Sequence, residues 1–132
     1  MNEVLLTLDE DEQRAISQAE TVLDLFGTDI RAHLLHVFQD NPQGLSITEF
    51  ATTRPVRKRF ASEGVETVLH EKSGDPGTEI IKLAAEIDAD VIAVAGRKRS
   101  PAGKILFGSV AQDVMLGAAR PVLLCEVDSE KH

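Results

Sequence analysis

Short apolar runs alternate along this chain with stretches in which apolar residues recur every three or four positions. Runs of the first kind predict buried strands, and they lie at 4–8, 30–38, 65–70, 91–95 and 122–127. Stretches of the second kind predict amphipathic helices, and they lie at 10–26, 47–60, 76–87 and 109–116. Strict alternation of this kind is typical of an α/β fold in which helices cover both faces of a parallel sheet. The pattern therefore predicts one doubly wound, Rossmann-like sheet of five strands.

Local signals predict where the helices begin. Asp9 precedes three further acidic residues and is expected to cap the first helix, because acidic side chains favour a helix N-terminus. Ser46 and Glu49 have the spacing of a capping box, which predicts a helix start near residue 47. The pair 75–76 is Asp-Pro and predicts an N-cap followed by proline in the first turn.

Length and composition restrict the classes of protein that remain. The 132 residues suffice for one domain, 1–132. The formal net charge of −8 argues against nucleic acid as a partner, because phosphate backbones repel such a chain. No apolar run approaches the roughly 18 residues of a membrane span, and the N-terminus lacks the basic segment of a signal peptide. Cys125 is the single cysteine, so no intrachain disulfide forms, which fits a reducing, cytoplasmic location.

The end of the first strand argues against two enzyme or signalling classes. It leads into acidic residues at 9–12 and not into the glycine-rich turn of a dinucleotide-binding dehydrogenase. A phosphoacceptor domain also has acids here, but it needs an aspartate ending strand three and a hydroxyl ending strand four. His70-Glu71 and Ala95-Gly96 stand there instead. Asp9 is interpreted either as a helix cap or as a polar group at the mouth of a site.

The segment between strand four and the last helix carries the clearest candidate chemistry. Gly96 allows a sharp exit from the strand, and Gly108 with Ser109 opens a helix whose free N–H groups attract anions. Between them stand four cations, namely Arg97, Lys98, Arg99 and Lys104. The segment thus predicts a phosphate-binding loop. The competing interpretation is a solvated basic loop, with Ser109 and Gln112 forming only a capping box.

This segment, the chain length and the order of elements resemble the universal stress protein family over nearly the whole chain. The nucleotide-binding branch of that family has glycine, two residues, glycine, nine residues, and then Gly-Ser or Gly-Thr. Gly96 matches the first glycine, and Gly108 with Ser109 matches the closing pair. Arg99 stands in place of the second glycine, and the interval from Gly96 to Gly108 is one residue shorter than in the signature.

The resemblance implies a sheet order of 3-2-1-4-5, a cleft for ATP or AMP, and a homodimer. Asp9, with Leu8 beside it, resembles the position that meets adenosine, and Val37 resembles the valine that contacts adenine. The dimer would form through the edge strand that begins at Val122 and ends at Val127. The nucleotide-binding residues implied for this chain are Leu8, Asp9, Val37, Gly96, Arg97, Arg99, Gly103, Gly108, Ser109 and Val110.

The departures from the signature leave two functions open. An arginine at position 99 keeps phosphate from the backbone, but its guanidinium is itself a phosphate ligand. Gly103 is expected to supply the flexibility that the missing glycine would give. Nucleotide then binds in an altered geometry, or the chain is a dimeric interaction module without nucleotide. Mg²⁺ is undecided, because Ile105 stands where a P-loop has its Ser or Thr.

Other reactive side chains predict structural roles. His33 and His36 are three apart on a strand and should face opposite sides, so they cannot share a metal ion. His70 is expected to be alone at a strand end, and Cys125 is expected to be a buried thiol. No arrangement of nucleophile, base and acid appears, so the chain is expected to be no enzyme, with at most slow ATP hydrolysis.

A second basic cluster lies at 54–59, on the predicted second helix. Its members are Arg54, Arg57, Lys58 and Arg59. Most charge runs of this kind are solvated helix faces, and that is the expectation here. A surface for a partner or an anion is the alternative.

Overall fold

The computed structural model describes residues 1–99, 105–106 and 108–125. The predicted order of helices and strands is present, with two additional short strands between the fourth strand and the last helix. The elements are β1 (Asn2–Thr7), α1 (Glu12–Phe26), β2 (Ile30–Phe38), α2 (Thr53–Ser62), β3 (Glu66–Ser73), α3 (Pro76–Glu86), β4 (Val91–Ala95), β5 (Arg97–Arg99), β6 (Ile105–Leu106), α4 (Ser109–Gly117) and β7 (Val122–Cys125).

Five strands form a parallel sheet in the order β3-β2-β1-β4-β7. This confirms the expected α/β fold and its 3-2-1-4-5 order. β1 is central, since Leu6 lies opposite Leu34 of β2 on one side and Ala93 of β4 on the other. The chain adds strands first on one side of β1 and then on the other. The carboxyl ends of β1 and β4 therefore form the switch point where such folds bind ligands.

Helices cover both faces of the sheet, so successive residues of β1 enter different cores. Leu6 packs in the cluster that contains Val22 of α1 and Phe60 of α2. Leu5 packs in the cluster that contains Leu83 of α3 and Val114 of α4. Burial on both faces explains why the strands are continuous apolar runs instead of alternating patterns. In the described part of the chain, no helix combines the length and apolar character that a membrane crossing requires.

The capping-box prediction at Ser46 was wrong about the helix start. The Ser46 N–H does donate to the Glu49 carboxylate at 2.8 Å, but residues 47–52 form turns and a bend. The Ile47 N–H donates instead to the Glu71 carboxylate of β3 at 2.7 Å, which holds this segment against the sheet. α2 begins only at Thr53.

Other predicted limits also need correction. The first strand was expected at 4–8, and β1 spans Asn2–Thr7. The third strand was expected at 65–70, but β3 continues to Ser73 because it pairs with β2 as far as Phe38. The segment after β4 was expected to be a loop, whereas Arg97 pairs with Leu106 in the antiparallel pair β5-β6. The last strand was expected at 122–127, and its final two residues lie outside the described part of the chain.

Candidate functional site

A cleft of about 290 Å³ opens at the carboxyl ends of β1, β2 and β4. The N-terminal turns of α3 and α4 complete its wall. Its lining comprises Thr7, Leu8, Asp9, Glu10, Arg14, Leu35, His36, Val37, Gln39, Pro76, Ile80, Val94, Ala95, Gly108, Ser109, Val110 and Ala111. The cleft lies at the switch point of the sheet, as expected for a ligand site in this fold class.

Asp9 belongs to the cleft and does not cap α1, which corrects the expected cap. The cap is Asp11, whose side chain accepts a hydrogen bond from the Arg14 N–H at 3.0 Å. Asp9 Oδ1 accepts from the Asp11 N–H at 2.9 Å, and Oδ2 accepts from Arg14 Nε at 2.7 Å. That hydrogen bond raises the pKa of Arg14 above its ordinary value. A carboxylate accepts about four hydrogen bonds, so Asp9 has acceptor capacity left for a ligand.

His36 connects the ends of β1 and β2 on one side of the cleft. Its Nδ1 lies 2.8 Å from the carbonyl oxygen of Leu8. A carbonyl only accepts, so Nδ1 carries the proton in this contact. The ring stacks on Phe50 at 3.7 Å between centroids. This fixed ring positions the backbone of Leu8 directly before Asp9.

The N-terminus of α4 enters the cleft without a capping side chain. Gly108 is the N-cap, and within the described residues no side chain caps the first turn of the helix. Ser109 is the first helical residue, so the interpretation of Ser109 as a cap was wrong. The Gly108 carbonyl accepts from the Gln112 N–H at 3.1 Å, which begins the helical ladder. The N–H groups of the first turn have no partner within an α-helix and carry its positive dipole end. They are suited to an anion.

Six of the ten residues implied by the sequence lie together in this cleft. They are Leu8, Asp9, Val37, Gly108, Ser109 and Val110. Gly96 follows β4 directly, and its N–H donates to the Cys125 carbonyl at 2.9 Å, which extends the pairing of β4 with β7. Arg97 and Arg99 belong to β5. Gly103, like Lys104, lies outside the described residues.

Sequence analysis missed Arg14, His36 and Gln39 as lining residues. Arg14 is five residues after Asp9 and lies in the first turn of α1, so a search for cations in the first turn of the helix that follows the strand would have found it. His36 and Gln39 flank Val37 at the end of β2. Only the register of β2 against β1 brings them to the cleft.

The remaining histidines form a separate contact across the sheet. His33 Nε2 lies 2.7 Å from the Glu3 carboxylate, and His33 Nδ1 lies 2.9 Å from His70 Nε2. His33 therefore does not share a site with His36, as predicted, but His70 is not alone at a strand end. No group of three or more potential ligand side chains for a metal occurs among the described residues. Cys125 is buried, as predicted, and burial raises its pKa to about 12.

Comparison with known proteins agrees with the fold. The profile of the universal stress protein family matches residues 1–126. A universal stress protein of Mycolicibacterium smegmatis is 35% identical over 69 residues, which cover 52% of this chain and 53% of that protein. The chain thus spans about half the length of this curated relative.

Solved structures show the same architecture over almost the full chain. The structure of a universal stress protein from Archaeoglobus fulgidus is 29% identical to this chain, with a TM-score of 0.71. The match covers 94% of this chain and 98% of that protein's chain. A universal stress protein structure from the same organism, in complex with dAMP, has a TM-score of 0.67. The match covers 94% of this chain and 97% of that protein's chain. At 23% identity, it shows likeness of fold alone. Profile, relative and fold agree, and the chain belongs to the universal stress protein family.

Proposed function

We propose that this chain is a regulatory stress protein that binds an adenine nucleotide, ATP or AMP, in the cleft between β1, β2 and α4. The observation that carries the proposal is the uncapped N-terminus of α4, whose first turn opens into the cleft. Phosphate is the natural occupant of such a position, because it accepts several N–H donors and is attracted by the helix dipole. In this proposal the phosphate groups lie against Gly108 and Ser109.

The opposite wall of the cleft suits the nucleoside. Asp9 offers carboxylate lone pairs to the donor groups of a base or ribose, and Val37 is buried and offers an apolar contact. Negative charge at Asp9 and positive dipole at α4 orient the ligand with its phosphates toward the helix. The volume of about 290 Å³ is near the lower limit for small-molecule sites, roughly 300 Å³. A relative of the same fold solved with dAMP supports this class of ligand.

The proposed activity is binding and not turnover. Hydrolysis of ATP requires a group that orients water and a clamp for the phosphate charge. Two of the described lining side chains are held in other contacts, since Asp9 accepts from Arg14 Nε and His36 Nδ1 donates a hydrogen bond to the Leu8 carbonyl. We expect any release of phosphate from ATP to be slow, and Mg²⁺ to be held through the phosphates if it binds.

The proposal extends to assembly and location. β7 is an edge strand of the sheet and pairs with β4 on its inner side. Its half-buried apolar residues at 122–124 make it a candidate for pairing with a second copy, which would give a C2 homodimer. The buried single cysteine is compatible with a cytoplasmic location.

Calorimetric titration with AMP and with ATP tests the nucleotide proposal. Gly108→Asp places a carboxylate where the phosphate would lie, and its side chain competes for the same N–H groups. Gly108 has φ −78° and ψ 164°, which any residue adopts, and aspartate is a good N-cap. We expect at least a tenfold loss of affinity with no loss of melting temperature.

Gln112→Glu is the matched control, because it adds the same charge one turn further along α4 at an exposed position. It should change affinity much less than Gly108→Asp. Equal affinities of the parent and Gly108→Asp would contradict the proposed phosphate position. If the parent binds neither nucleotide, the interaction module without nucleotide is the better account.

A further inference from the structure

A second groove, of about 520 Å³, lies between α2 and the edge strand β3, away from the nucleotide cleft. Three cations of α2 line it, namely Arg54, Arg57 and Lys58. Their spacing places them on one face of the helix. Among the described residues, no acidic side chain lines the groove, although the chain has 22 acids against 14 bases. The groove is therefore a concentrated positive site on an acidic protein.

These three cations differ from the other cations whose side chains are described. The other six, Arg14, Arg31, Arg59, Lys72, Lys82 and Arg120, each form an ion pair with an acidic side chain. Arg59 is the closest comparison, because it belongs to the same helix and bonds Glu20 and Glu63. Within the described residues, Arg54, Arg57 and Lys58 have no such partner. All three are exposed, so their charges are accessible to a ligand in the groove.

A buried hydroxyl in the wall of the groove also lacks a partner. Thr53 lines the groove and is 1% exposed, and its Oγ1 forms no hydrogen bond with any described residue. An unsatisfied buried hydroxyl costs about 1–3 kcal/mol, so a ligand oxygen that accepts a hydrogen bond from it would recover that cost. Thr48 and Thr67 add further hydroxyl groups to the lining.

We propose that this groove binds a small anion with two or more phosphate groups. Guanidinium groups match phosphate oxygens in pairs, and lysine adds a point charge. Three unpaired positive charges exceed what one carboxylate neutralises, so a multiply charged anion is the better match. The Thr53 hydroxyl would donate to a phosphate oxygen. This site is independent of the nucleotide cleft and of the proposed nucleotide function.

Titration with inorganic tripolyphosphate tests this site. Binding is measured by calorimetry and by the NMR shifts of the backbone amides. The Gly108→Asp variant serves as the background, since it blocks the anion position at α4. We expect amide shifts at 53–58 and at Thr67. Arg57→Ala should lower the affinity about tenfold or more, the effect of one charge-assisted hydrogen bond. Affinity should also fall as salt rises.

Lys82→Ala is the matched control, because it removes one exposed cation from α3 and changes the net charge equally. It should change the affinity less than twofold. Equal losses in Arg57→Ala and Lys82→Ala would overturn the proposal, since the attraction would then be non-specific. Shifts confined to other parts of the chain would overturn it as well. So would binding of a polyglutamate peptide without binding of tripolyphosphate, which would indicate a protein-docking surface.

Thr53→Val tests the hydroxyl separately. In the free protein it removes an unsatisfied polar atom, so unfolding stability should stay the same or rise. With tripolyphosphate present, affinity should fall severalfold. A destabilised free protein with unchanged affinity would contradict the role given to Thr53.

Discussion

Ser109 is the first residue of α4, so its side chain should matter little for stability. We expect Ser109→Ala to change the free energy of unfolding by less than about 0.5 kcal/mol, because no hydrogen bond of an N-cap is lost. Asp11→Ala is the contrast, since the Asp11 side chain accepts from the Arg14 N–H at 3.0 Å. It should cost about 1 kcal/mol. Urea unfolding of both variants checks this, and a loss of 1 kcal/mol or so in Ser109→Ala would restore Ser109 as the cap.

The cleft shows which residue roles a sequence reveals and which it does not. Asp75 was predicted to cap α3, and its side chain does accept from the Thr78 N–H at 3.0 Å. The prediction succeeds because the following proline restricts the backbone conformation of Asp75. Asp9 and Asp11 are chemically equal candidates two positions apart. Their roles depend on where β1 ends and on the pairing of Arg14 with Asp9. That is tertiary information, so sequence analysis assigned the cap to the wrong aspartate.

Among the elements, α3 and α4 approach each other closely at Gly77, beside the cleft. A Cβ at Gly77 would lie 2.8 Å from the Cβ of Asp113, which cannot swing away. We expect Gly77→Ala to lower the free energy of unfolding by about 1–2 kcal/mol, because overpacking outweighs the gain in helix propensity. Gly117→Ala is the control, since its Cβ would meet only the flexible Cδ1 end of Ile81, at 3.0 Å. Denaturant unfolding of both variants checks this. Equal changes in the two midpoints would contradict this packing.

The contact between β2 and β3 predicts a pH dependence of stability. The Glu3 carboxylate only accepts, so His33 Nε2 donates to it, and when the His33 ring is neutral its Nδ1 accepts from His70 Nε2. Burial, then the nearby His33 and Lys72, lower the pKa of His70, against an opposing effect of Glu86. The unfolded chain therefore binds the His70 proton at higher pH than the native chain does. Stability should fall as pH falls below the ordinary value of about 6.5.

His70→Gln tests that dependence with urea midpoints between about pH 7.5 and about pH 5.5, a window that contains the ordinary histidine pKa. The parent should lose more stability than the variant over this interval. An equal loss in both proteins would mean that other groups carry the pH dependence.

For the elements, the sequence predicted the limits of two strands and the starts of α3 and α4, but not the start of α2. β2 and β4 have the predicted limits, because continuous apolar runs identify buried parallel strands. The start of α2 was missed because Glu71, 24 residues further along the chain, accepts from the Ile47 N–H. The short pair β5-β6 was missed because its strands contain few residues and little apolar pattern.

For the whole molecule, the proposed dimer predicts protection of the outer edge of β7. The carbonyls of Pro121 and Cys125 accept from Ile92 and Gly96, so the alternate residues Val122 and Leu124 direct their backbone groups outward. In a dimer paired through β7, the amide of Leu124 should exchange more slowly as protein concentration rises. Light scattering should give twice the mass of the chain. A monomer at tens of micromolar, about the range expected for a modest interface, would contradict the dimer.

The order of the five strands could be predicted because the chain alternates helix and strand throughout and resembles a known family. The cleft could be located at strand ends for the same reason, since parallel strands present their carboxyl ends together. What the sequence could not supply is the three-dimensional neighbourhood of each polar group. The pairing of Asp9 with Arg14 and the lack of an acidic partner for Arg57 among the described residues both depend on helix positions.

The most direct test of nucleotide binding follows the backbone amides of Ser109, Val110 and Ala111 by NMR during titration with AMP. If phosphate lies at the N-terminus of α4, these amides should shift strongly and saturate together with the amides of Asp9 and Val37. Gly108→Asp should abolish the shifts without unfolding the protein. Unchanged amide positions at α4 in the presence of excess AMP, in a folded parent protein, would contradict the account.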